Sequence, residues 1–132
     1  MEITVIDKQK KIKTDLGRIK KIALSVLRKL KVDGELNIVI SDNKTIRLLN
    51  RKYRKKDCPT DVLSFSQDKI NSSCLPRCKV MLGDIIISIE KAKIQAKQYS
   101  KTLDQEIEAL VKHGILHLCG FSHSKMKTLV LK

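Results

Sequence analysis

The chain has 132 residues, of which 42% are hydrophobic and 32% are charged. This length and composition predict one folded domain spanning residues 1–132 and exclude a disordered chain. Lys and Arg number 28 against 14 Asp and Glu, which gives a net charge of +14 at pH 7. Small soluble domains usually carry a net charge of magnitude about 2–8. The excess therefore indicates a polyanionic partner, either a nucleic acid or an anionic membrane.

Four segments have the apolar pattern of β-strands. They are Glu2–Ile6, Leu36–Ile40, Asp61–Ser66 and Val80–Ser88. Gly83 lies inside the last of them and predicts a β-bulge or a close backbone approach.

Four helices are predicted around these strands from capping residues and apolar periodicity. The first begins at Thr14 or Asp15 and ends at Gly34, and the second begins at Ser41 or Asp42 and breaks at Cys58-Pro59. The third runs from Ser88 to Tyr99. The fourth runs from a Thr102–Gln105 capping box to about Leu118 and ends at Gly120. The second helix is expected to turn Ile46, Leu49 and Tyr53 inward. The order β-α-β-α-β-β-α-α predicts an α+β domain, with helices packed on a mixed sheet of about four strands and a metal site on the C-terminal helix.

The compartment is predicted from what the sequence lacks. Met1–Lys13 is too charged for a signal peptide, and the longest apolar run, Ile85–Ile87, is far shorter than the roughly 20 residues of a membrane span. We therefore expect a soluble, cytoplasmic protein with no membrane partner and with free thiols. A structural zinc site at Cys74 and Cys78 is the weaker alternative to free thiols, because such a site needs four ligands and these two cysteines have no second pair.

All three histidines, His113, His117 and His123, fall close together near the end of the chain. His113 and His117 share a face of the predicted last helix, and Gly120 allows a turn that brings His123 back toward them. This spacing matches the zinc ligands of the extended HExxHxxGxxH motif. Three imidazoles plus water are typical of catalytic zinc, so we predict one Zn²⁺ per chain. Ordinary surface or core histidines are the alternative, and copper, nickel or iron would also suit these ligands.

The residue after the first histidine distinguishes classes of metal hydrolase. Zinc peptidases place a glutamate there as general base, whereas this chain has Gly114. A peptidase is therefore the least favoured interpretation. A metal ion can still activate water for attack without that glutamate, and together with the positive charge it indicates hydrolysis of a phosphodiester. Cys119 lies on the other side of the helix and is predicted to pack rather than to bind metal.

Two basic segments favour contact with nucleic acid over a merely solvated face. Lys8–Lys31 is one; the other surrounds Tyr53 and comprises Arg51, Lys52, Arg54, Lys55 and Lys56. Aromatic residues are too few for a base-stacking sheet, so binding should depend on phosphates and on salt. Arg54 lies just before the third strand, where an arginine can hold the scissile phosphate or stabilise transition-state charge. The other four cations of the second segment are candidates for RNA binding.

Three strings of the sequence resemble the YbeY family of bacterial endoribonucleases. They are Leu49-Asn50-Arg51-Lys52-Tyr53-Arg54 leading into Pro59-Thr60-Asp61-Val62-Leu63-Ser64-Phe65, then Leu82-Gly83-Asp84-Ile85-Ile86-Ile87-Ser88, and then the segment from His113 to His123. The likeness runs from about Leu48 to His123, and the N-terminal third fits only in its layout.

The resemblance implies a metal-dependent, single-strand-specific endoribonuclease that matures the 3′ end of 16S rRNA and acts in ribosome quality control. It implies zinc at His113, His117 and His123 and a catalytic role for Arg54. Its partners would be RNA, especially ribosomal RNA, and the small ribosomal subunit, and no DNA specificity is expected. Asp84 supports either the site or the fold, and the fold is favoured.

The sequence departs from the family pattern at two places. Ser122 replaces the aspartate that precedes the third histidine, so a role for that carboxylate is in doubt. The segment Ser124–Lys132 is short and basic, where the family continues with an acidic helix. Two other functions stay open besides the endoribonuclease: a non-catalytic ribosome- or RNA-binding module with a structural metal, and a metallohydrolase for a small molecule.

Overall fold

A computed structural model of the protein describes residues 2–66 and 80–119. Its elements follow the predicted order. The strands are β1 (Glu2–Asp7), β2 (Gly34–Ser41), β3 (Val62–Ser66) and β4 (Val80–Ser88), and the helices are α1 (Leu16–Leu30), α2 (Asn43–Arg54), α3 (Ile89–Gln98) and α4 (Leu103–Leu118). Among the described residues, no helix has the length and apolarity that a membrane crossing needs.

The four strands form one mixed sheet in the order β1-β2-β4-β3. β1, β2 and β4 are parallel to one another, and β3 runs antiparallel to β4. The predicted α+β fold is therefore confirmed. In β2 the side chains of Leu36, Ile38 and Ile40 are buried while the residues between them are only partly buried, so one face of the sheet carries the core.

The core lies between this face of the sheet and the helices α1, α3 and α4. α1 contributes residues spaced three and four apart, as an amphipathic helix does, and they pack with Ile85 and Ile87 of β4 and with Val111 and Ile115 of α4. The helical contributors from α1 are Ile19, Ala23, Val26 and Leu27. This packing fixes α4 against the sheet, and α4 carries two of the three histidines.

Each helix begins at a residue whose side chain accepts a hydrogen bond from a backbone N–H of the first turn. These residues are Asp15, Asp42, Ser88 and Thr102. The side-chain oxygen of Gln105 accepts a hydrogen bond from the Thr102 N–H, which completes the predicted capping box. The caps satisfy N–H groups that have no partner within the helix.

The end of α1 differs from the prediction. Lys31, not Gly34, takes the left-handed conformation (φ 58°) that ends the helix. Its N–H bonds to the carbonyl of Arg28, and the Val32 N–H bonds to that of Leu27. The chain has therefore already turned when it reaches Gly34, which opens β2 and pairs with Val80.

The predicted irregularity at Gly83 is confirmed. Glu35 of β2 pairs with Met81, but Leu36 pairs with Gly83, so β4 holds one extra residue there. Gly83 has φ 139°, a conformation that residues with a Cβ rarely adopt. The bulge sets the register of the rest of β4.

Candidate active site

The end of α2, the start of β3 and one face of α4 meet at a cleft of about 310 Å³. The cleft brings together Arg54, His113 and His117, which are far apart in sequence. It is lined by Arg54, Thr60, Asp61, Val62, Leu63, Ser64, His113 and His117. Three segments that the sequence analysis singled out separately therefore form one site.

His113 and His117 lie one turn apart on α4 with their rings nearly parallel. The ring centroids are 6.0 Å apart and the planes differ by 14°, so both imidazoles share a face, as predicted. His113 is partly buried and His117 is exposed. Two imidazoles held at this spacing on an open cleft fit one half of a zinc-binding set.

The predicted third ligand, His123, and the neighbouring Ser122 lie outside the described residues. Within residues 2–66 and 80–119, no three His, Cys, Asp or Glu side chains come close enough to hold a metal ion. The three-histidine zinc site therefore stays a prediction, of which the structure positions two members. The Cys74–Cys78 alternative also lies outside the described residues.

Arg54 is the last residue of α2, and the chain turns directly after it. Lys55 adopts the left-handed conformation (φ 57°), and the Lys56 N–H bonds to the Asn50 carbonyl at 3.3 Å. This turn ends the helix earlier than the predicted break at Cys58-Pro59 and leaves Arg54 on the wall of the cleft.

Asn50 holds the segment that follows this turn. Its side chain is buried, and Nδ2 donates to the Cys58 carbonyl at 2.9 Å. Its burial was not predicted. Of the residues predicted to face inward, Leu49 is partly buried, whereas Tyr53 is 57% exposed and touches Phe65 edge-on. The available signal was the spacing of Asn50, which follows Ile46 by four residues and so shares its buried face.

Asp61 joins the cleft to the strand behind it. Its Oδ1 accepts hydrogen bonds from the Val62 N–H at 2.8 Å and from the Thr60 hydroxyl at 3.2 Å, and its carbonyl accepts from the Ser88 N–H. These bonds fix the turn from which β3 begins. Asp61 also lines the cleft, a position that the sequence did not reveal.

Asp84 has the structural role that the sequence analysis favoured. Its Oδ1 accepts a hydrogen bond of 2.9 Å from Nδ2 of Asn37, the residue opposite it on β2. It is not among the residues that line the cleft. The pair ties the two central strands together across the parallel ladder.

Residues 4–130 match the family model described as Endoribonuclease YbeY. The chain is 43% identical over 97 residues to the Endoribonuclease YbeY of Oceanobacillus iheyensis, an alignment that covers 70% of this chain and 63% of that protein. It is 43% identical over 101 residues to the Endoribonuclease YbeY of Bacillus thuringiensis, covering 74% and 65%. The chain belongs to the YbeY endoribonuclease family. The matched part of this chain spans 63–65% of the length of these curated relatives.

The fold is also similar to a solved structure. The solution structure of TM1509 from Thermotoga maritima superposes with a TM-score of 0.60 at 27% sequence identity, over 92% of this chain and 74% of that one. The structural similarity covers nearly the whole chain. The family model, which begins at residue 4, likewise extends the sequence likeness into the N-terminal third, beyond the segment from Leu48 to His123 in which the resemblance was expected.

The four RNA-binding candidates of this YbeY-family chain precede and follow Arg54, which lines the cleft. Arg51, Lys52, Lys55 and Lys56 are all exposed, and we call them the basic cluster. The Lys52 ammonium lies 5.3 Å from the centre of the Tyr53 ring. The cluster thus flanks Arg54 with cations in the sequence positions on either side of it.

Two cysteines fall within the described residues, and both are free thiols. Cys119 packs against the core, and burial raises the pKa of its thiol. A raised pKa disfavours the thiolate that metal binding requires. The observation agrees with packing as the role of Cys119.

Proposed function

We propose that this chain is a metal-dependent endoribonuclease that cleaves single-stranded RNA, with the 3′ end of 16S rRNA as its substrate and ribosome quality control as a further role. The observation that carries the proposal is the cleft in which Arg54 meets His113 and His117. Membership of the YbeY endoribonuclease family supports it.

The donor set supports a metal ion at this site. His113, His117 and His123 would hold it, and neutral imidazole is a ligand that zinc favours. When bound, such an ion supplies Lewis acidity and an activated water. The two histidines that the structure describes provide adjacent ring nitrogens on one helix face, and the core packing of α4 keeps that face turned to the cleft.

Arg54 would bind the phosphate to be cleaved. Its planar guanidinium can donate two parallel hydrogen bonds to phosphate oxygens. Its place on the same cleft as the histidines lets it counter the negative charge that builds up during phosphodiester cleavage. Thr60 and Ser64 also line the cleft. Because their hydroxyls donate to Asp61 Oδ1 and to the Gly114 carbonyl, toward the RNA they can act as acceptors.

The net charge of +14 supports an RNA substrate over a small molecule. Each phosphate bound by Lys or Arg releases counterions, so affinity should fall steeply with salt. The basic cluster beside Arg54 would hold the strand on its way into the cleft. Ribosomal RNA and the small ribosomal subunit in the cytoplasm are the partners that we propose.

The test is cleavage of a labelled single-stranded RNA by the purified chain, with and without a chelator and after adding zinc back. We expect the chelator to abolish cleavage and zinc to restore it, and His117→Ala and Arg54→Ala each to lower kcat/KM by at least about a hundredfold. Arg47→Ala is the matched control because Arg47 lies on the same helix, pairs with Asp57 and does not line the cleft.

Three results would contradict the proposal. Cleavage that survives both chelation and His117→Ala would exclude the metal mechanism. Cleavage that survives Arg54→Ala would remove Arg54 from it. Protein that binds RNA and never cleaves it would favour the non-catalytic binding module.

A further inference from the structure

A second cavity, of about 400 Å³, adjoins the cleft and shares Asp61 and His113 with it. Its other walls come from the end of α3, the turn after it and the first half of α4. They are formed by Gln95, Tyr99, Lys101, Glu106, Ala109 and Leu110. If a phosphate of a polymer lies in the cleft, the adjoining cavity is therefore open to the neighbouring part of the same polymer.

Tyr99 provides an aromatic surface at this cavity. It caps the C-terminal end of α3, and 64% of its surface is exposed. The Lys101 ammonium lies 5.9 Å from the centre of its ring, which places a cation beside the aromatic face. An exposed ring next to a cation is the combination on which bases of single-stranded nucleic acids stack.

The polar side of the cavity is held by an ion pair and by hydrogen bonds. Glu106 is 95% buried, since its exposed fraction is 5%, and its Oε1 forms an ion pair with the Lys101 ammonium at 3.6 Å. The Gln95 amide is assigned with Nε2 toward two carboxylates, because in the opposite orientation its oxygen would face only acceptors. Nε2 then donates to Glu106 Oε2 at 2.8 Å and to Asp61 Oδ2 at 3.3 Å. The wall that separates the cavity from the cleft is therefore preformed and contains Asp61.

The size and chemistry of the cavity suit one nucleobase. Its volume lies within the range of about 300–1,000 Å³ typical of small-ligand sites, and its mixed walls offer a stacking face at Tyr99 and hydrogen-bonding groups at Gln95 and Lys101. A free anion would find the carboxylates of Asp61 and Glu106 beside it, which disfavours a site for phosphate alone.

We propose that this cavity is a nucleobase subsite, in which Tyr99 stacks on the base next to the phosphate bound in the cleft. The proposal rests on the proposed function, because it assumes that an RNA strand crosses the cleft. It adds a contact with the base to a surface that otherwise binds phosphates, and it assigns Tyr99 as a binding residue.

The test uses RNAs that lack a single base. The cleavage site of a short single-stranded RNA is first mapped with the wild-type chain, and the same RNA is then made with an abasic nucleotide on the 5′ or the 3′ side of that site. We expect one of the two abasic RNAs to lose about tenfold in kcat/KM with the wild type, since stacking of one base on an aromatic ring contributes on that order.

Variants at Tyr99 give the decisive comparison. Tyr99→Ala should cleave the intact RNA about tenfold less efficiently and should no longer distinguish it from the abasic RNA, because the two changes remove the same contact. Tyr99→Phe should keep both the rate and the abasic penalty. Ile94→Ala is the control, since Ile94 is an exposed apolar residue of α3 that does not line the cavity. A full abasic penalty in Tyr99→Ala would overturn the proposal.

A failure of the proposed function would be recognised separately. If the wild type cleaves no RNA, the endoribonuclease proposal fails, and the dissociation constants of the intact and abasic RNAs then decide on the subsite. A loss of about tenfold in affinity that depends on Tyr99 would support it. Equal affinities of wild type and Tyr99→Ala for the intact RNA would exclude it.

Discussion

Gly114 packs so closely against Ile85 that no side chain fits between them. A Cβ on Gly114 would lie 2.9 Å from Cδ1 and 3.0 Å from Cγ2 of Ile85, which is itself fully buried. The residue after the first histidine therefore faces the sheet and not the cleft. The absence of a glutamate at this position, which argued against a peptidase, thus has a steric basis in the packing of α4 on β4.

Replacing Gly114 with alanine should destabilise the protein. Overpacking a core typically costs about 1–3 kcal/mol, while alanine in a helix regains up to about 1 kcal/mol over glycine. We expect a net loss of up to about 2 kcal/mol in the free energy of unfolding, measured by urea denaturation. His113 and His117 flank this position, so RNA cleavage should fall as well.

Two further variants separate packing from helix propensity. Gly17→Ala, in α1, brings a Cβ only to an ordinary contact of 3.5 Å with Asp15 and should leave stability unchanged or raise it. Ile85→Val removes Cδ1, the nearest atom, so the double variant with Gly114→Ala should cost less than the sum of the single changes. An additive double variant would show that the close contact does not limit this position.

The cap of α2 predicts a dependence of stability on pH. The backbone N–H of Thr45 donates to Asp42 at 2.8 Å and, as the largest cause, lowers the pKa of Asp42. A lowered pKa in the folded state means that ionised Asp42 stabilises the fold above its unfolded pKa of about 3.9, and that this is lost as pH falls through the folded value.

Asp42→Ala should therefore cost about 1 kcal/mol at pH 7 and progressively less below about pH 4. Asp42→Asn is the matched control, because asparagine caps nearly as well and does not titrate. The measurement is urea unfolding of the three proteins between pH 2 and 7. A difference between wild type and Asp42→Ala that is constant over this range would contradict the assignment.

Asn50 should be needed for both stability and activity. Asn50→Leu keeps the branched shape of the buried side chain but removes the donor to the Cys58 carbonyl, which leaves a hydrogen bond unmade at a cost of about 1–3 kcal/mol. Since this bond holds the segment that leads from Arg54 to Asp61, kcat should fall more than KM rises. Chemical denaturation and RNA cleavage kinetics measure the two effects.

Lys44→Ala, an exposed change on the same helix, is the control for Asn50. One oxygen of Asn50, Oδ1, is buried and has no hydrogen-bond partner among the described residues. A buried oxygen without a hydrogen-bond partner is unfavourable, so the presence of Asn50 here agrees with a positioning role for its amide group. Unchanged stability in Asn50→Leu would show that the Cys58 carbonyl finds another donor.

Local patterns predicted most of the fold, and contacts across the chain account for what they missed. The capping box of Thr102 and Gln105 involves neighbouring residues and could be found in the sequence. The buried face of Asn50 follows from its spacing to Ile46, but its bond to the Cys58 carbonyl depends on where the chain folds back, and the place of Asp61 on the cleft depends on α4. Neither of these two contacts has a local signal. Helix α1 ends at Lys31, a non-glycine residue in the left-handed conformation. The sequence instead pointed to Gly34, because glycine is the residue that usually adopts this conformation at a helix end.

The basic cluster predicts how RNA affinity responds to salt. Each phosphate contact on a single strand contributes about 0.7 to the slope of log K against log salt, so Lys52→Gln and Lys56→Gln should each flatten the slope by about that amount. Lys93→Gln removes an exposed cation from α3, away from the cluster, and should leave the slope unchanged. Binding titrations of a single-stranded RNA at several salt concentrations give these slopes. An equal effect of Lys93→Gln would mean that RNA responds to the overall charge rather than to the cluster beside Arg54.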